Sequence, residues 1–410
     1  MSVERVETLI AGGGQAGIAM SHQLSRRGCP HLVLERHRIA ERWRTERWDG
    51  LRFQFPNWSV RFPGFPLPHT DPDEFATAAE IVDFINAYAD AVAAPVRCGV
   101  AVTALRQRDD AAGFLAETSE GLIEAANVVV ATGPYQRPVI PPLLPRECGI
   151  FQVHASGYRN PDQLPDGAVL VVGGGSSGAQ IAEELMRAGR RVYLSVSKHR
   201  RRPRRYRGRD LTWWWTETGA LNLPVEQRGR DQSPMVFTGA YGGHTIDFRR
   251  FASEGMVLLG RTEAVQNDVM FFAPDLLLSL SHGDAAYRSM LDSFDAYAVD
   301  AGLDLPEDVD ARATEPDPPC VTEPIRQLNL HDSGIGAVIW ATGYALDFGW
   351  IDVPVLNEGG IPVHRAGVTA VPGLYFLGLH WLTRRASSML VGEGVAGDAI
   401  YLANQIAARR

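Results

Sequence analysis

Two glycine-rich turns of one design constrain the fold of this chain more than any other sequence feature. The pattern Gly-x-Gly-x-x-Gly occupies residues 12–17 and recurs at residues 173–178. Each copy follows a short apolar run and precedes a stretch with helical periodicity, which is the strand–turn–helix opening of a dinucleotide-binding βαβ unit. Glycine permits the tight bend and lets a pyrophosphate reach the N–H groups at the helix N-terminus. The sequence therefore predicts two dinucleotide-binding units in one polypeptide.

An acidic residue distinguishes the first turn from the second. Glu35 stands 18 residues after Gly17, at the predicted end of the second strand, where a carboxylate accepts hydrogen bonds from ribose hydroxyls. This arrangement favours a permanently bound FAD in the first unit. The residues predicted to bind FAD are Gly12, Gly14, Gln15, Ala16, Gly17, Glu35, Arg36, Trp43, Thr132 and Gly133.

The equivalent position of the second unit carries no carboxylate. Counting 18 residues from Gly178 gives Val196, and Ser197, Lys198 and Arg200 follow it. Hydroxyls and cations stabilise the 2′-phosphate of NADPH, which a carboxylate would repel. The pattern therefore predicts NADPH in this unit, with a merely solvated basic edge as the alternative. The residues predicted to bind NADPH are Gly173, Gly175, Ser176, Ser177, Gly178, Ser197, Lys198 and Arg200.

The order of these motifs predicts the domain organisation. We expect an α/β fold with two Rossmann-like dinucleotide-binding domains in the glutathione-reductase-like arrangement, with the NADPH domain inserted into the FAD domain. Residues 1–150 are predicted to form the first part of the FAD domain, residues 151–330 the NADPH domain, and residues 331–410 the segment that returns to the FAD domain. Two Ala-Thr-Gly segments, at residues 131–133 and 341–343, each end a buried run.

Composition excludes several other classes of protein. A formal net charge of -8 argues against a general nucleic-acid binder. No apolar run reaches about 18 residues and no signal peptide is recognisable, so we expect a cytoplasmic protein without a membrane partner. The four cysteines form no Cys-x-x-Cys pair and no cluster with histidines, which argues against a metal site and against a dithiol redox centre beside the flavin.

Two further segments resemble those of a known family. The segment "IAERWRTERWDGLRFQFPN" at residues 39–57 is similar to the flavin-proximal segment of class B flavin-dependent monooxygenases, and "HASGY" at residues 154–158 is similar to their linker signature. With both Ala-Thr-Gly segments and the order of the two turns, the chain resembles the flavin-containing monooxygenases and the plant YUCCA-type enzymes within that class. The signature departs at Cys148 and Ile150, where the family carries Phe and Gly.

The resemblance implies a function and two catalytic candidates. It implies an NADPH- and O2-dependent monooxygenase that inserts one oxygen atom into a small organic substrate through a C4a-(hydro)peroxyflavin. N- or S-oxygenation, hydroxylation and oxidative decarboxylation of a 2-oxo acid all stay open. Asn57 and Gln54 are the candidates for stabilising the peroxyflavin. The alternative function is an NADPH-dependent FAD reductase or electron-transfer flavoprotein without oxygen insertion.

Other features leave alternatives open. The consecutive tryptophans Trp213–Trp215 are expected either to line a substrate tunnel or to pack the basic segment against the second domain. His154, without a visible Ser or Asp partner, is expected to be structural rather than catalytic. Arg384 and Arg385 are interpreted either as residues beside the flavin ring or an acidic substrate, or as an exposed loop. The oligomeric state is also open, with a homodimer as one candidate.

Overall fold

The first sheet is built around the opening strand of the chain. The computed structural model describes residues 3–108 and 112–410. Strand Glu4–Ala11 pairs in parallel with His31–Glu35 on one side and with Gly121–Val130 on the other, and runs of Leu, Val and Ile bury both faces. The strands in spatial order are Ile351–Asp352, Val102–Gln107, Phe114–Thr118, Gly121–Val130, Glu4–Ala11, His31–Glu35 and Val96–Cys98, and Leu374–Phe376 also pairs with Gly121–Val130.

The second sheet is entirely parallel. Its strands come, in sequence, between the earlier and the later strands of the first sheet. Its strands in spatial order are Phe151–His154, Ile335–Trp340, Ala168–Val172, Val192–Ser195 and Val257–Leu259. This arrangement confirms the predicted α/β fold with two Rossmann-like units, one inserted into the other. Strand Ile335–Trp340 nevertheless belongs to the second sheet, so the predicted boundary at residue 330 falls before this strand. A buried parallel strand has the same apolar sequence pattern in either sheet, so the pattern does not show which strands it pairs with.

Short antiparallel pieces complete the architecture. Val102–Gln107, Phe114–Thr118 and the start of Gly121–Val130 form a meander within the first sheet. In the three-stranded sheet, Val269–Phe272 lies between Thr262–Gln266 and Gln327–Asn329. Three further antiparallel pairs are Arg205–Tyr206 with Arg209–Asp210, Arg137–Pro138 with Tyr344–Ala345, and Arg61–Phe62 with Phe65–Pro66. One short pair, Arg200–Arg201 with Met235–Val236, is parallel.

The helices differ in how their first turns are satisfied. Thr77 and Glu80 form a reciprocal capping box at the start of Ala78–Ala91. The two helices that follow the glycine turns begin after Gly14 and Gly175, which offer no side-chain cap, so their N-termini are left open to a ligand. The α-helices are Gln15–Ser25, Glu41–Thr45, Ala78–Ala91, Ser176–Arg187, Leu211–Glu217, Phe248–Ser253, Leu276–Asp300, Pro319–Thr322 and Gly394–Ala407.

Both sheets are covered by apolar side chains, and one tryptophan crosses between the two cores. Trp48 lies in the segment after the short helix Glu41–Thr45 of the first unit, yet it is buried in the core that covers one face of the second sheet. Leu51 packs against the same core. The two units are therefore joined by shared packing as well as by the chain. No helix in the described ranges combines the length and apolar character needed to cross a membrane.

Candidate active site

The three glycines of the first turn meet different surroundings. Gly12 has φ +115°, and a Cβ at this residue would lie 2.6 Å from the carbonyl oxygen of Ala131. A Cβ at Gly17 would overlap the carbonyl oxygen of Gly12, because the helix passes directly over the turn. A Cβ at Gly14 would reach only open space. The first and third glycines are therefore required by close backbone contacts, and the second leaves room for a ligand at the helix N-terminus.

The second turn repeats this division of roles. Gly173 has φ +116°, and an added Cβ would lie 2.5 Å from the carbonyl oxygen of Ala341, while a Cβ at Gly178 would overlap the carbonyl oxygen of Gly173. Gly175 has only ordinary contact, with Pro234 at 3.6 Å from its added Cβ. Each Ala-Thr-Gly segment thus begins against the first glycine of its own turn.

Both turns open into one cavity of about 1410 Å³. A cavity of this size is large enough for more than one drug-sized ligand. Of the residues predicted to bind FAD or NADPH, Gly17 and Lys198 do not line it. Those that line it are Gly12, Gly14, Gln15, Ala16, Glu35, Arg36, Trp43, Thr132, Gly133, Gly173, Gly175, Ser176, Ser177, Gly178, Ser197 and Arg200.

Glu35 is held in place by the backbone of the first turn. Its Oε2 accepts a hydrogen bond from Gly13 N–H at 2.7 Å, and its Oε1 accepts one from His37 N–H at 2.9 Å. Each carboxylate oxygen keeps acceptor capacity for a further donor. Together with the uncapped helix N-terminus, this geometry fits the ribose and pyrophosphate of a dinucleotide.

Trp43 and Gln15 link the first turn to the C-terminal part of the chain. Trp43 Nε1–H donates to Gln15 Oε1 at 3.3 Å, and the Gln15 side-chain amide donates to the carbonyl oxygen of Ser388. The guanidinium carbon of Arg47 lies 4.9 Å from the centre of the Trp43 ring, a cation–π distance. The segment after strand Leu374–Phe376 therefore forms one wall of the cavity.

The two basic residues predicted to bind a 2′-phosphate have different environments. Arg200 lines the cavity, and its Nε donates to the carbonyl oxygen of Ser233 at 2.8 Å. Burial lowers the pKa of the Arg200 guanidinium. Lys198 instead faces outward, 59% exposed, and its Nζ lies 3.6 Å from Asp231 Oδ1. Of the residues predicted around the 2′-phosphate, Ser197 and Arg200 therefore line the cavity and Lys198 does not.

The two catalytic candidates are also separated by the structure. Gln54 lines the cavity, and its Nε2 makes a long contact of 3.4 Å with the carbonyl oxygen of Phe237. Asn57 does not line the cavity, and its amide Nδ2 donates to the carbonyl oxygen of Asp71 at 3.1 Å. The three-residue 3-10 turn that begins at Asn57 directs its side chain to the neighbouring loop.

His154 joins the linker to the second Ala-Thr-Gly segment. Its Nε2 lies 3.0 Å from the carbonyl oxygen of Gly343, and its Nδ1 lies 3.1 Å from the backbone nitrogen of Ser156. This geometry defines a neutral ring that donates through Nε2 and accepts at Nδ1. Burial lowers the pKa of His154, which also favours the neutral form. The contacts agree with a structural role.

The three consecutive tryptophans pack rather than line the cavity. None of Trp213–Trp215 is among the described residues that line it. Trp214 is fully buried, its ring stacks on Phe294 at 4.7 Å between centroids, and its Nε1–H donates to the Tyr206 carbonyl oxygen at 3.0 Å. The triplet therefore joins the basic segment to the long helix Leu276–Asp300.

Several cavity residues carry no recognisable sequence motif. Tyr135 is 41% exposed, yet burial raises its pKa, because its accessible surface faces the interior of the cavity. His380 packs edge-on against Tyr135 at 5.3 Å between centroids, and burial lowers its pKa. Trp381, Arg228 and Arg385 complete this wall. These residues come from distant parts of the chain, so spacing in the sequence gives no signal that they meet.

Comparison with known proteins agrees with this geometry. Residues 9–212 match the family model described as pyridine nucleotide-disulphide oxidoreductase. The chain is 34% identical over 410 residues to the CzcO-like oxidoreductase of Geobacillus kaustophilus, whose own activity is uncharacterised, and the match covers 98% of each chain. It is 32% identical over 203 residues to the indole-3-pyruvate monooxygenase YUCCA1 of Oryza sativa, which covers 47% of this chain and 49% of that protein.

Solved structures share the whole architecture at low identity. The flavin-containing monooxygenase of Stenotrophomonas maltophilia superposes with a TM-score of 0.66 at 19% identity, over 99% of both chains. The bacillithiol disulfide reductase of Staphylococcus aureus superposes with a TM-score of 0.63 at 14% identity, over 100% of both chains. At these identities the likeness establishes the fold alone.

Fold, turns and cavity together define a pyridine-nucleotide-type oxidoreductase with two dinucleotide-binding units. The partial match to YUCCA1 and the fold shared with the Stenotrophomonas enzyme agree with the predicted relation to the class B flavin-dependent monooxygenases. The chain belongs to the family of the CzcO-like oxidoreductases.

Proposed function

We propose that this protein is an NADPH- and O2-dependent monooxygenase that inserts one oxygen atom into a small organic substrate. The observation that carries the proposal is the single cavity shared by both glycine turns. One turn has a ribose-binding carboxylate and the other has a cavity-facing arginine, which suit FAD and NADPH respectively. Bound FAD would supply the redox chemistry, because it accepts a hydride from NADPH and reacts with O2.

The cysteines argue against disulfide reduction, although a disulfide reductase shares the fold. Reduction of a disulfide by thiol exchange needs a cysteine next to the flavin. The four cysteines Cys29, Cys98, Cys148 and Cys320 all lie in the described ranges, and none lines the cavity. The chemistry of this cavity therefore favours oxygen over a disulfide as the electron acceptor.

The cavity wall near the first turn is aromatic and presents apolar surface to a bound group. Trp43 packs against Phe53 at 5.6 Å between ring centroids, and Phe53 packs against Phe55 at 5.6 Å. All three line the cavity. Exclusion of water protects reactive oxygen chemistry from unproductive release of hydrogen peroxide.

Gln54 is the side chain that this wall offers as a hydrogen-bond donor. Its present contact with Phe237 is long at 3.4 Å, and such a bond is weak, so the amide is free to turn toward a bound group. Asn57 donates elsewhere. We therefore assign the donor role to Gln54 rather than to Asn57.

The test measures where the electrons from NADPH go. FAD-loaded protein would be supplied with NADPH, air and a panel of sulfides, amines, ketones and 2-oxo acids, while NADPH consumption, hydrogen peroxide and oxygenated product are quantified. A monooxygenase should give product in proportion to NADPH with at least one substrate. If peroxide or a reduced acceptor accounts for all of the NADPH with every substrate, the protein is a reductase.

A matched variant pair tests the role of Gln54. Gln54→Leu removes the donor at constant size, and we expect it to divert electrons from product to hydrogen peroxide. Asn57→Leu should leave the ratio of product to peroxide unchanged. Equal ratios in Gln54→Leu and the parent protein would remove Gln54 from the mechanism.

A further inference from the structure

An aromatic ring in contact with two guanidinium groups forms part of the cavity wall. The guanidinium carbons of Arg228 and Arg385 each lie 5.6 Å from the centre of the Trp381 ring. All three residues line the cavity. Trp381 itself adopts φ +56°, an unusual backbone conformation for a bulky residue, so the loop is held in a specific shape.

Four arginines in this region lack a carboxylate partner. Among the residues that the structure describes, no Asp or Glu oxygen lies within 4.0 Å of a side-chain nitrogen of Arg200, Arg202, Arg228 or Arg385. Arg202 is only 7% exposed, and its Nε has no hydrogen-bond partner. Asp231 acts on Arg202 electrostatically, but this acid already pairs with Lys198 and His282.

The four charges also act on one another. Burial, followed by repulsion from Arg200 and Arg385, lowers the pKa of Arg202 to about 9. Burial and Arg200 lower the pKa of Arg385. Bringing so many cations together without counter-ions is unfavourable, unless a bound anion balances them. A 2′-phosphate held at Ser197 and Arg200 would balance part of this charge, while Arg228 and Arg385 face the same cavity and are available to a second anion.

The loop that carries Arg385 is fixed from below by a buried acid. Asp398 is fully buried, accepts a hydrogen bond from the Thr383 hydroxyl and interacts with Ser387. The Ser387 hydroxyl in turn accepts hydrogen bonds from the backbone N–H groups of Thr383 and Arg384, at 3.0 and 3.1 Å. The position of Arg385 is therefore built into the fold.

The adjacent arginine provides a natural contrast. Arg384 pairs with Glu393 and does not line the cavity. Arg385, the next residue, lines the cavity and has no such partner. The charge of Arg384 is therefore balanced by Glu393, whereas Arg385 is available to bind an anion in the cavity.

We propose that Arg228, Arg385 and Trp381 form a subsite that binds the carboxylate of an organic-acid substrate, apart from the 2′-phosphate position at Ser197 and Arg200. Two guanidinium groups recognise a carboxylate through charge-assisted hydrogen bonds, and the indole face packs against the adjoining apolar part of the acid. The proposal deepens the proposed function, since it names the substrate class of the same cavity.

The test uses binding, so it does not depend on turnover. FAD-loaded protein saturated with NADP+ would be titrated calorimetrically with phenylacetate and with phenylacetamide, which have the same shape but differ in charge. We expect phenylacetate to bind roughly 10- to 100-fold more tightly than the amide. Arg385→Met should abolish this preference, Arg385→Lys should keep part of it, and Arg384→Met should leave it unchanged.

Two outcomes would overturn the subsite. Equal affinity for phenylacetate and phenylacetamide would show that the arginines do not recognise a carboxylate. A higher Kd for NADP+ but not for NAD+ in Arg385→Met, with phenylacetate binding unchanged, would assign Arg385 to the 2′-phosphate instead. A protein that binds phenylacetate selectively but yields only peroxide would contradict the proposed function and leave the subsite standing.

Discussion

Single glycines separate the structural from the ligand-binding requirements of each nucleotide turn. At Gly17 an added methyl group would overlap the Gly12 carbonyl, whereas at Gly14 it would enter the open cavity. We expect Gly17→Ala to lower the free energy of unfolding by about 1–3 kcal/mol, as overpacking does, and to lose FAD as well. Gly14→Ala should keep the stability of the FAD-free protein and weaken only FAD binding. Urea denaturation and flavin content measure both effects.

The Gly14→Ala variant serves as the control for Gly17→Ala. Because both substitutions add the same methyl group within one turn, a difference in stability must come from the backbone contact at Gly17. Equal losses of stability in the two FAD-free proteins would contradict the assignment of roles within the turn.

Selectivity for NADPH should depend on one cation of the basic segment rather than on its charge as a whole. Arg200 lines the cavity, and Lys198 is occupied by Asp231 at the surface. We expect Arg200→Ala to raise the KM for NADPH roughly tenfold or more, with a small effect on the KM for NADH. Lys198→Ala should leave the ratio of the two KM values near that of the parent. Parallel changes for both nucleotides in Arg200→Ala would remove the 2′-phosphate assignment.

For single residues, the sequence predicts a binding role where that role depends only on the local geometry of one βαβ unit. The turn glycines and Glu35 fall within one βαβ unit, so their spacing is enough to place them. The contacts of Trp381 with Arg228 and Arg385 form only because the chain returns to the first sheet. No local sequence pattern predicts these contacts. Asn57 is a candidate alongside Gln54 because of its position in a family segment, but its side chain follows a short 3-10 turn and donates to the carbonyl oxygen of Asp71 instead.

Among the elements, the long helix Leu276–Asp300 depends on a buried neutral histidine. Its Gly283 leaves space for His199, whose ring lies where a Cβ would be and packs edge-on against Phe248 at 4.8 Å. His199 is 3% exposed, and burial lowers its pKa to about 4 from an ordinary value of 6.5. The nearby Asp284 opposes this shift, whereas His282 and Arg201 add to it.

Acid should therefore destabilise this element in a defined interval. Between about pH 6.5 and pH 4 the unfolded chain binds a proton at His199 and the folded chain does not, so the free energy of unfolding falls as the pH falls. The loss should approach roughly 3 kcal/mol for this residue. Above pH 6.5 the histidine is neutral in both states and contributes no pH dependence.

Comparing slopes isolates the contribution of His199. Urea denaturation at several pH values should give a shallower decline for His199→Phe, which keeps a ring but cannot titrate. The exposed His69→Gln variant should decline like the parent. An unchanged slope in His199→Phe would show that other groups control the acid sensitivity.

The sequence predicts an element well where its apolar pattern is compatible with only one kind of structure. The helices after the two turns and the C-terminal helix Gly394–Ala407 follow from apolar periodicity, and the structure contains all three. Strand Ile335–Trp340 was also predicted as a buried strand, but its sheet was not. The identity of its neighbours depends on contacts with residues more than a hundred positions away.

At the scale of the whole molecule, the two units are locked together by Trp48. This side chain is 5% exposed and leaves the first unit to fill the core of the second. We expect Trp48→Ala to lower the free energy of unfolding by about 3–5 kcal/mol. Release of FAD and loss of secondary structure, followed by flavin fluorescence and circular dichroism, should then no longer coincide.

A second tryptophan of the same segment serves as the comparison. Trp58 is partly exposed and is not part of that core, so Trp58→Ala should cost less and should keep the two transitions together. Coincident transitions in Trp48→Ala would show that the two units are coupled by other contacts.

Strand Ile335–Trp340 sits between two strands that precede it by well over a hundred residues. A ribosome would therefore have to synthesise the chain through Trp340 before the second sheet gained its missing member. Until then, Phe151–His154 and Ala168–Val172 would each lack this neighbour, so co-translational assembly of the nucleotide domains is necessarily a late event.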